Sequence, residues 1–184
     1  MQTKLEKLIS QYRELGIDKQ IDYDKFYLYS LITHSTAIEG STITELENQI
    51  MFDQGISLKG KSMAELNMNL DLKNAYENAV KLANTHADIS IDLLKDFSAL
   101  VMKNTGQVYK TALGAFSSAR GELRLLNVTT GIGGKSYMNY SKVPAKLSEF
   151  CVWLNKEREN YTHKSTIQLY EISFDAHYHL ATIH

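Results

Sequence analysis

A single proline in 184 residues most narrows what this chain can become. Proline removes a backbone donor and breaks helix interiors. A chain that nearly lacks it, with its glycines gathered in a few places, favours long helices with short punctuation. Pro144 itself stands in VPAKLSEF, where a first helical turn tolerates it. The apolar spacing predicts a first helix with Leu5, Leu8, Ile9, Tyr12 and Leu15 on one face, ending at Gly16. A second begins after Asp22 and runs to Glu39, with Gly40 as its stop. Thr44-Glu45-Leu46-Glu47 reads as a capping box opening a short third helix. Ser62-Met63-Ala64-Glu65 reads as another, opening a long helix to about Thr85. Further helices cover Ile91 to about Asn104, Pro144 through Leu154, and Thr162 to the end. From Gly114 to Lys142 the texture turns Gly- and Ser-rich, and LRLLNVTT and KSYMNY flank a Gly-Ile-Gly-Gly turn. That pattern reads as a small β-hairpin. The expected class is all-α, a helical bundle with one protruding hairpin.

Composition excludes several classes. The chain is 43% hydrophobic and 22% charged with a net charge of −1, so no broad nucleic-acid footprint and no direct nucleic-acid binding are expected. Its one cysteine, Cys151, rules out an internal disulfide or a multi-cysteine metal site and reads as a buried thiol. No stretch approaches the ~20 apolar residues of a membrane span. The first residues, MQTKLEKLISQYRELG, form a charged amphipathic pattern and not a signal peptide. The expected location is cytoplasmic, with no membrane partner.

Two places resist a purely structural reading. The last helix carries a narrow polar stripe of Gln168, Glu171, Asp175, His179 and Thr182, and is apolar or aromatic elsewhere. Such a helix is expected in the middle of a bundle. His177 on it reads as a core histidine, and lies ~10.5 Å along the axis from His184, too far for both to bind one metal. The chain stops at His184 with no cap for its last carbonyls, so the fold is expected to continue past it. In the second helix Leu28, Leu31, Ile32, Ser35 and Glu39 share a face, and Glu39 sits at the helix end where a carboxylate is disfavoured by about 0.3–1 kcal/mol. Either Glu39 reaches solvent, or it is held for a cationic partner with Ser35 steadying it.

His177 to His184, HYHLATIH, resembles the lead-in to the signature of Fic-domain protein adenylyltransferases. Ser35-Thr36-Ala37-Ile38-Glu39-Gly40 is similar to that family's inhibitory motif, ARGELRLLNVTTGIGGKSYMNY to its flap hairpin, and VPAKLSEFCVWLN to the helix after it. The resemblance implies a Fic-type bundle that transfers AMP from ATP to a hydroxyl of a target protein. It implies His184 as the catalytic base, and Ser35, Glu39 and Gly40 as an inhibitory element that displaces the γ-phosphate. Leu126, Asn127, Val128, Thr129 and Thr130 would be a target-docking edge. It divides the chain into N-terminal helices at 1–60, with the inhibitory helix at about 24–39, and core helices at 61–184 with a flap at about 122–140. ATP and Mg²⁺ are implied, but the loop that supplies the magnesium carboxylate, phosphate cradle and arginine is not in the sequence, so this chain contributes no metal ligand and is expected to be inactive as written. An unidentified target protein is the implied partner, and a homodimer is compatible. The competing readings are a non-catalytic helical interaction or regulatory module and a helical DNA-associated regulator.

Overall fold

A computed structural model describes residues 4–131, 133–159 and 161–183. The chain divides into two compact units, Met1–Lys73 and Asn74–His184. Among the described residues there are seven α-helices and one two-stranded antiparallel sheet, the all-α class expected.

The first unit contains α1 (Lys4–Glu14), α2 (Tyr23–Ile38), α3 (Glu45–Gln54) and the start of α4 (Met63–Asn84). Each boundary follows from local chemistry. Asp22 caps α2 by accepting from Lys25 N–H at 3.0 Å. Thr44 and Glu47 close a reciprocal capping box on α3, which ends at Gly55 in the left-handed region. Ser62 and Glu65 exchange the same pair of bonds at the start of α4, 3.0 and 3.2 Å. Asp53 on α3 accepts from Lys25 at 2.7 Å and also from the Tyr29 hydroxyl, tying α3 to α2. The apolar part of the core is small: Ile43, Met51 and Leu66, with Phe52 and Leu58 against them.

The second unit contains the remainder of α4, then α5 (Ile91–Val101), β1 (Val108–Thr111), β2 (Gly114–Ser117), α6 (Val143–Arg158) and α7 (Thr166–Ile183). α4 ends in a Schellman turn in which His86, at φ 53°, takes the left-handed place usually given to glycine. Its ring stacks on Tyr161 at 5.4 Å. Val143, Leu147, Phe150, Cys151 and Ile183 form the core, with Trp153, Leu154, Ala176 and Leu180 packed on it. Burial pushes the Cys151 thiol pKa up, as for an inert core thiol. Gly121 lies so close to α5 that a Cβ would stand 1.9 Å from the Lys95 carbonyl oxygen.

Three expectations need correction. The regular sheet pairs Val108–Thr111 with Gly114–Ser117, upstream of the expected hairpin. The 122–140 segment still pairs its two arms antiparallel about the glycine turn, through the Thr129–Ser136 bridge. The last helix is not enclosed: Tyr170, Phe174 and Tyr178 are 64%, 70% and 61% exposed. Its principal packing partner is α6, so one face is covered while the others stay open. His177 is likewise exposed rather than a core residue.

Candidate functional site

The inhibitory candidates lie at the end of α2. Ser41 N–H donates to the Thr36 carbonyl at 3.0 Å and Gly40 N–H to the Ala37 carbonyl at 3.0 Å, a Schellman turn. Gly40, at φ 95°, is the left-handed residue that the turn requires. Glu39 is therefore the C-cap residue just past Ile38, exposed, and its carboxylate has no hydrogen bond or ion pair among the described residues. It stands at the negative end of the helix dipole, where its charge is disfavoured and a cation would be welcome.

The face of α2 turned inward differs from the one expected. Leu31, Ser35 and Glu39 are exposed, while Ile32, Thr33 and Thr36 are buried. The sequence motif drew attention to Ser35, yet Thr36 is the hydroxyl that makes long-range bonds. Thr36 Oγ1 lies 3.0 Å from Asn69 Oδ1. Asn48 Nδ2 donates to Thr33 Oγ1 at 2.8 Å and to Asn69 Oδ1 at 2.9 Å. Asn69 Nδ2 donates to Ser41 Oγ at 3.1 Å and to the Glu65 carbonyl at 2.9 Å. Asn48 and Asn69 are both 0% exposed. A paired Asn–Thr arrangement of this kind runs from Thr33 to Asn69 and leaves no local trace in the sequence.

Around this knot lies a rim of charge. Glu65 accepts from the Thr42 hydroxyl at 2.7 Å and from Thr42 N–H at 2.9 Å. Those bonds, with Ser62, pull its pKa down to about 2. Glu47 is also lowered, first by the Thr44 backbone bond. Lys61 donates to the Thr42 carbonyl at 2.7 Å and lies 3.3 Å from Glu47.

In the second unit, the catalytic candidate His184 lies outside the described residues. Its predecessor Ile183 is 6% exposed and sits in the apolar core. A cavity of about 620 Å³ opens between α5, the 116–124 segment, α6 and the last turns of α7. Leu94, Phe97, Leu147 and Leu180 wall it, with His177 and Arg124 also lining it. These walls suit an apolar group better than a phosphate chain.

The docking candidates Leu126 to Thr130 occupy one arm of the bridged segment. Tyr137 N–H donates to the Val128 carbonyl and Thr130 N–H to the Lys135 carbonyl, both at 3.0 Å. In that pattern Thr129 faces Ser136 as a non-hydrogen-bonded pair, so its backbone groups point to the opposite, open edge. Arg124 binds the Leu126 and Met138 carbonyls and clips the two arms together at their base. Asn127 Oδ1 accepts from Tyr140 N–H at 3.1 Å. Among the described residues no group of three or more His, Cys, Asp or Glu side chains could hold a metal ion. No helix among them is long and apolar enough to cross a membrane.

No family model matches the chain. It is similar to a protein named protein adenylyltransferase fic-1 from Caenorhabditis elegans, 26% identical over 163 residues, 88% of this chain and 28% of the relative. The protein of the same name from Caenorhabditis briggsae is 27% identical over 165 residues, again 88% and 28%. The chain thus spans little more than a quarter of the length of these curated relatives. Among solved structures, a fragment of C. elegans Fic-1 superposes with a TM-score of 0.65 at 25% identity, over 90% of this chain and 44% of that one. A Glu-to-Gly variant of that fragment gives 0.55 at 21% identity, over 98% and 57%.

Proposed function

We propose that this chain is part of a Fic-type protein adenylyltransferase restrained by its own Glu39. The observation that carries the reading is agreement between sequence and fold: relatives with one name match nearly the whole chain by both routes. At about a quarter identity, that likeness supports AMP-transferase family function. The assignment of His184 rests on the family motif alone; those of Glu39 and of the edge from Leu126 to Thr130 rest on the motif together with local geometry.

His184 acts as the general base. An imidazole, whose ordinary pKa lies near neutrality, takes the proton of a target hydroxyl as that oxygen attacks the α-phosphate of ATP. The phosphorus–oxygen bond to the pyrophosphate breaks, and AMP is left esterified to the target. Mg²⁺ would supply charge neutralisation at the phosphates. The edge from Leu126 to Thr130 presents open backbone groups at Thr129, which suits alignment of an extended target segment by strand addition. Glu39 restrains the reaction. Its carboxylate is unpaired among the described residues and stands at a helix end that favours a cation, so an arginine that would otherwise grip the γ-phosphate is drawn to it instead. Ser35 and Gly40 frame that glutamate, with Gly40 supplying the turn.

The test is self-labelling of the full-length protein with radiolabelled ATP. Glu39→Gly should raise labelling by roughly tenfold or more, the effect of removing one charge-assisted bond. His184→Ala in the same background should abolish it. Labelling unchanged by Glu39→Gly would remove the inhibitory role, and labelling that survives His184→Ala would remove the base.

A further inference from the structure

We propose that Asn69 is a positioning residue for Glu39: through Thr36 and Ser41 it fixes the turn that presents the inhibitory carboxylate, and so sets how firmly the protein is held off. This rests on the reading of Glu39 as inhibitory and adds to it the device that holds the residue in place.

The argument starts from what does not hold the turn. Ala37, Ile38, Glu39 and Gly40 are all exposed, and Ile38 is 85% exposed. Among the described residues, no packing against these four fixes where the carboxylate stands. The anchors are the residues on either side, Thr36 and Ser41, which are 2% and 7% exposed. Both are bonded to one side chain, the Asn69 amide, by its two ends.

The orientation of that amide is determined by its surroundings. Asn69 Nδ2 lies 2.9 Å from the Glu65 carbonyl oxygen, which can only accept, so the nitrogen must face it. Oδ1 then faces Thr36 and Asn48. It cannot donate; the donors it faces are Asn48 Nδ2 and, at 3.0 Å, the Thr36 hydroxyl, whose one proton it shares with the Ile32 carbonyl at 2.9 Å. Asn48 is committed through the same nitrogen to Thr33, and its own buried oxygen has no partner among the described residues. A buried network with one unmet acceptor is a poor way to gain stability alone. It does specify one geometry, because hydrogen bonds fix direction where apolar contacts permit sliding. The Ser41 N–H to Thr36 carbonyl bond closes the loop, so residues 37–40 are suspended between two fixed points.

Self-labelling of the full-length protein, with Glu39→Gly as the reference, tests this. Thr36→Val keeps the side-chain shape and removes the hydroxyl; Asn69→Leu removes both amide ends. Each should raise labelling on the order of five- to tenfold, the worth of one or two lost bonds. Neither should raise it further when combined with Glu39→Gly, and Thr36→Ser should keep wild-type restraint. A merely structural role would lower activity with stability and would not give this gain. Wild-type labelling in Thr36→Val and Asn69→Leu, beside a high Glu39→Gly, overturns the proposal. A silent Glu39→Gly would count against the inhibitory reading, and amide exchange then decides the positioning role by itself. Ser41→Ala, a change too small to unfold the unit, should speed exchange at Glu39 and Gly40. Unchanged exchange there overturns the proposal.

Discussion

The buried centre of residues 1–73 is built largely from amides and hydroxyls, and that of residues 74–184 from hydrocarbon. In the first, Thr33, Thr36, Ser41, Asn48 and Asn69 are all buried and bonded to one another. In the second, Val143, Leu147, Phe150, Cys151 and Ile183 make contacts without direction. Hydrocarbon cores tolerate exchange of similar volumes. Polar cores tolerate little, because each group depends on a partner at a set distance. The contrast matches the work proposed for the first unit, which must hold a single carboxylate in one place.

Removing volume breaks the comparison most directly. Phe150→Ala should cost the second unit about 3–5 kcal/mol, the range for a buried aromatic truncated to a methyl. Trp153 is the sole tryptophan and packs on that cluster, so its fluorescence follows this unit during denaturant unfolding. A loss under 1 kcal/mol would mean that the apolar cluster is not what holds α6 and α7.

Replacing a side chain in each centre by one of similar heavy-atom count sharpens it. Leu147→Met should cost about 1.5 kcal/mol or less. Asn69→Leu should cost the first unit about 1–3 kcal/mol, because Asn48 and Ser41 lose a buried partner while little space is vacated. Trp153 fluorescence follows the first variant and amide exchange in α2 and α3 follows the second. A loss well above ~1.5 kcal/mol in Leu147→Met, or one below ~1 kcal/mol in Asn69→Leu, would erase the distinction between the two centres.

The sequence disclosed what is local. Both capping boxes, the Asp22 cap, the Gly40 stop and the tolerance of Pro144 depend on residues within a turn of each other, and all occur where the spacing puts them. What it hid is long-range. The buried side of α2 is rotated from the expected face because Thr33 and Thr36 answer to Asn48 and Asn69, from other helices, and periodicity weighs a threonine as neutral. The β1–β2 pair turns at Ala112-Leu113, which carries none of the Gly, Asn or Asp that marks a tight hairpin. The Gly-rich stretch at 131–134 has that mark, and among the described residues one bridge stands beside it. The apolar girth of α7 suggested enclosure, yet its principal packing partner is α6.

The smallest effect separates the units by acid. Glu65 is held to about 2, first by the Thr42 hydroxyl and then by backbone bonds from Ser62 and Thr42. Its folded pKa lies below the ordinary 4.5, so its stabilisation is complete above that value and is lost as pH falls from there toward 2. Exchange of amides in α3 and the first turns of α4 should therefore quicken across that window. Glu65→Gln should start less stable at neutral pH and show a shallower acid slope, so the two profiles converge at the acid end. The hydrocarbon cluster around Phe150 contains no carboxylate, and Glu122, lowered mainly by Arg120, lies outside it. Trp153 fluorescence should thus be indifferent to Glu65→Gln at every pH. Parallel profiles for wild type and Glu65→Gln would mean that the carboxylate bonds at Thr42 and Ser62 do not anchor the first unit.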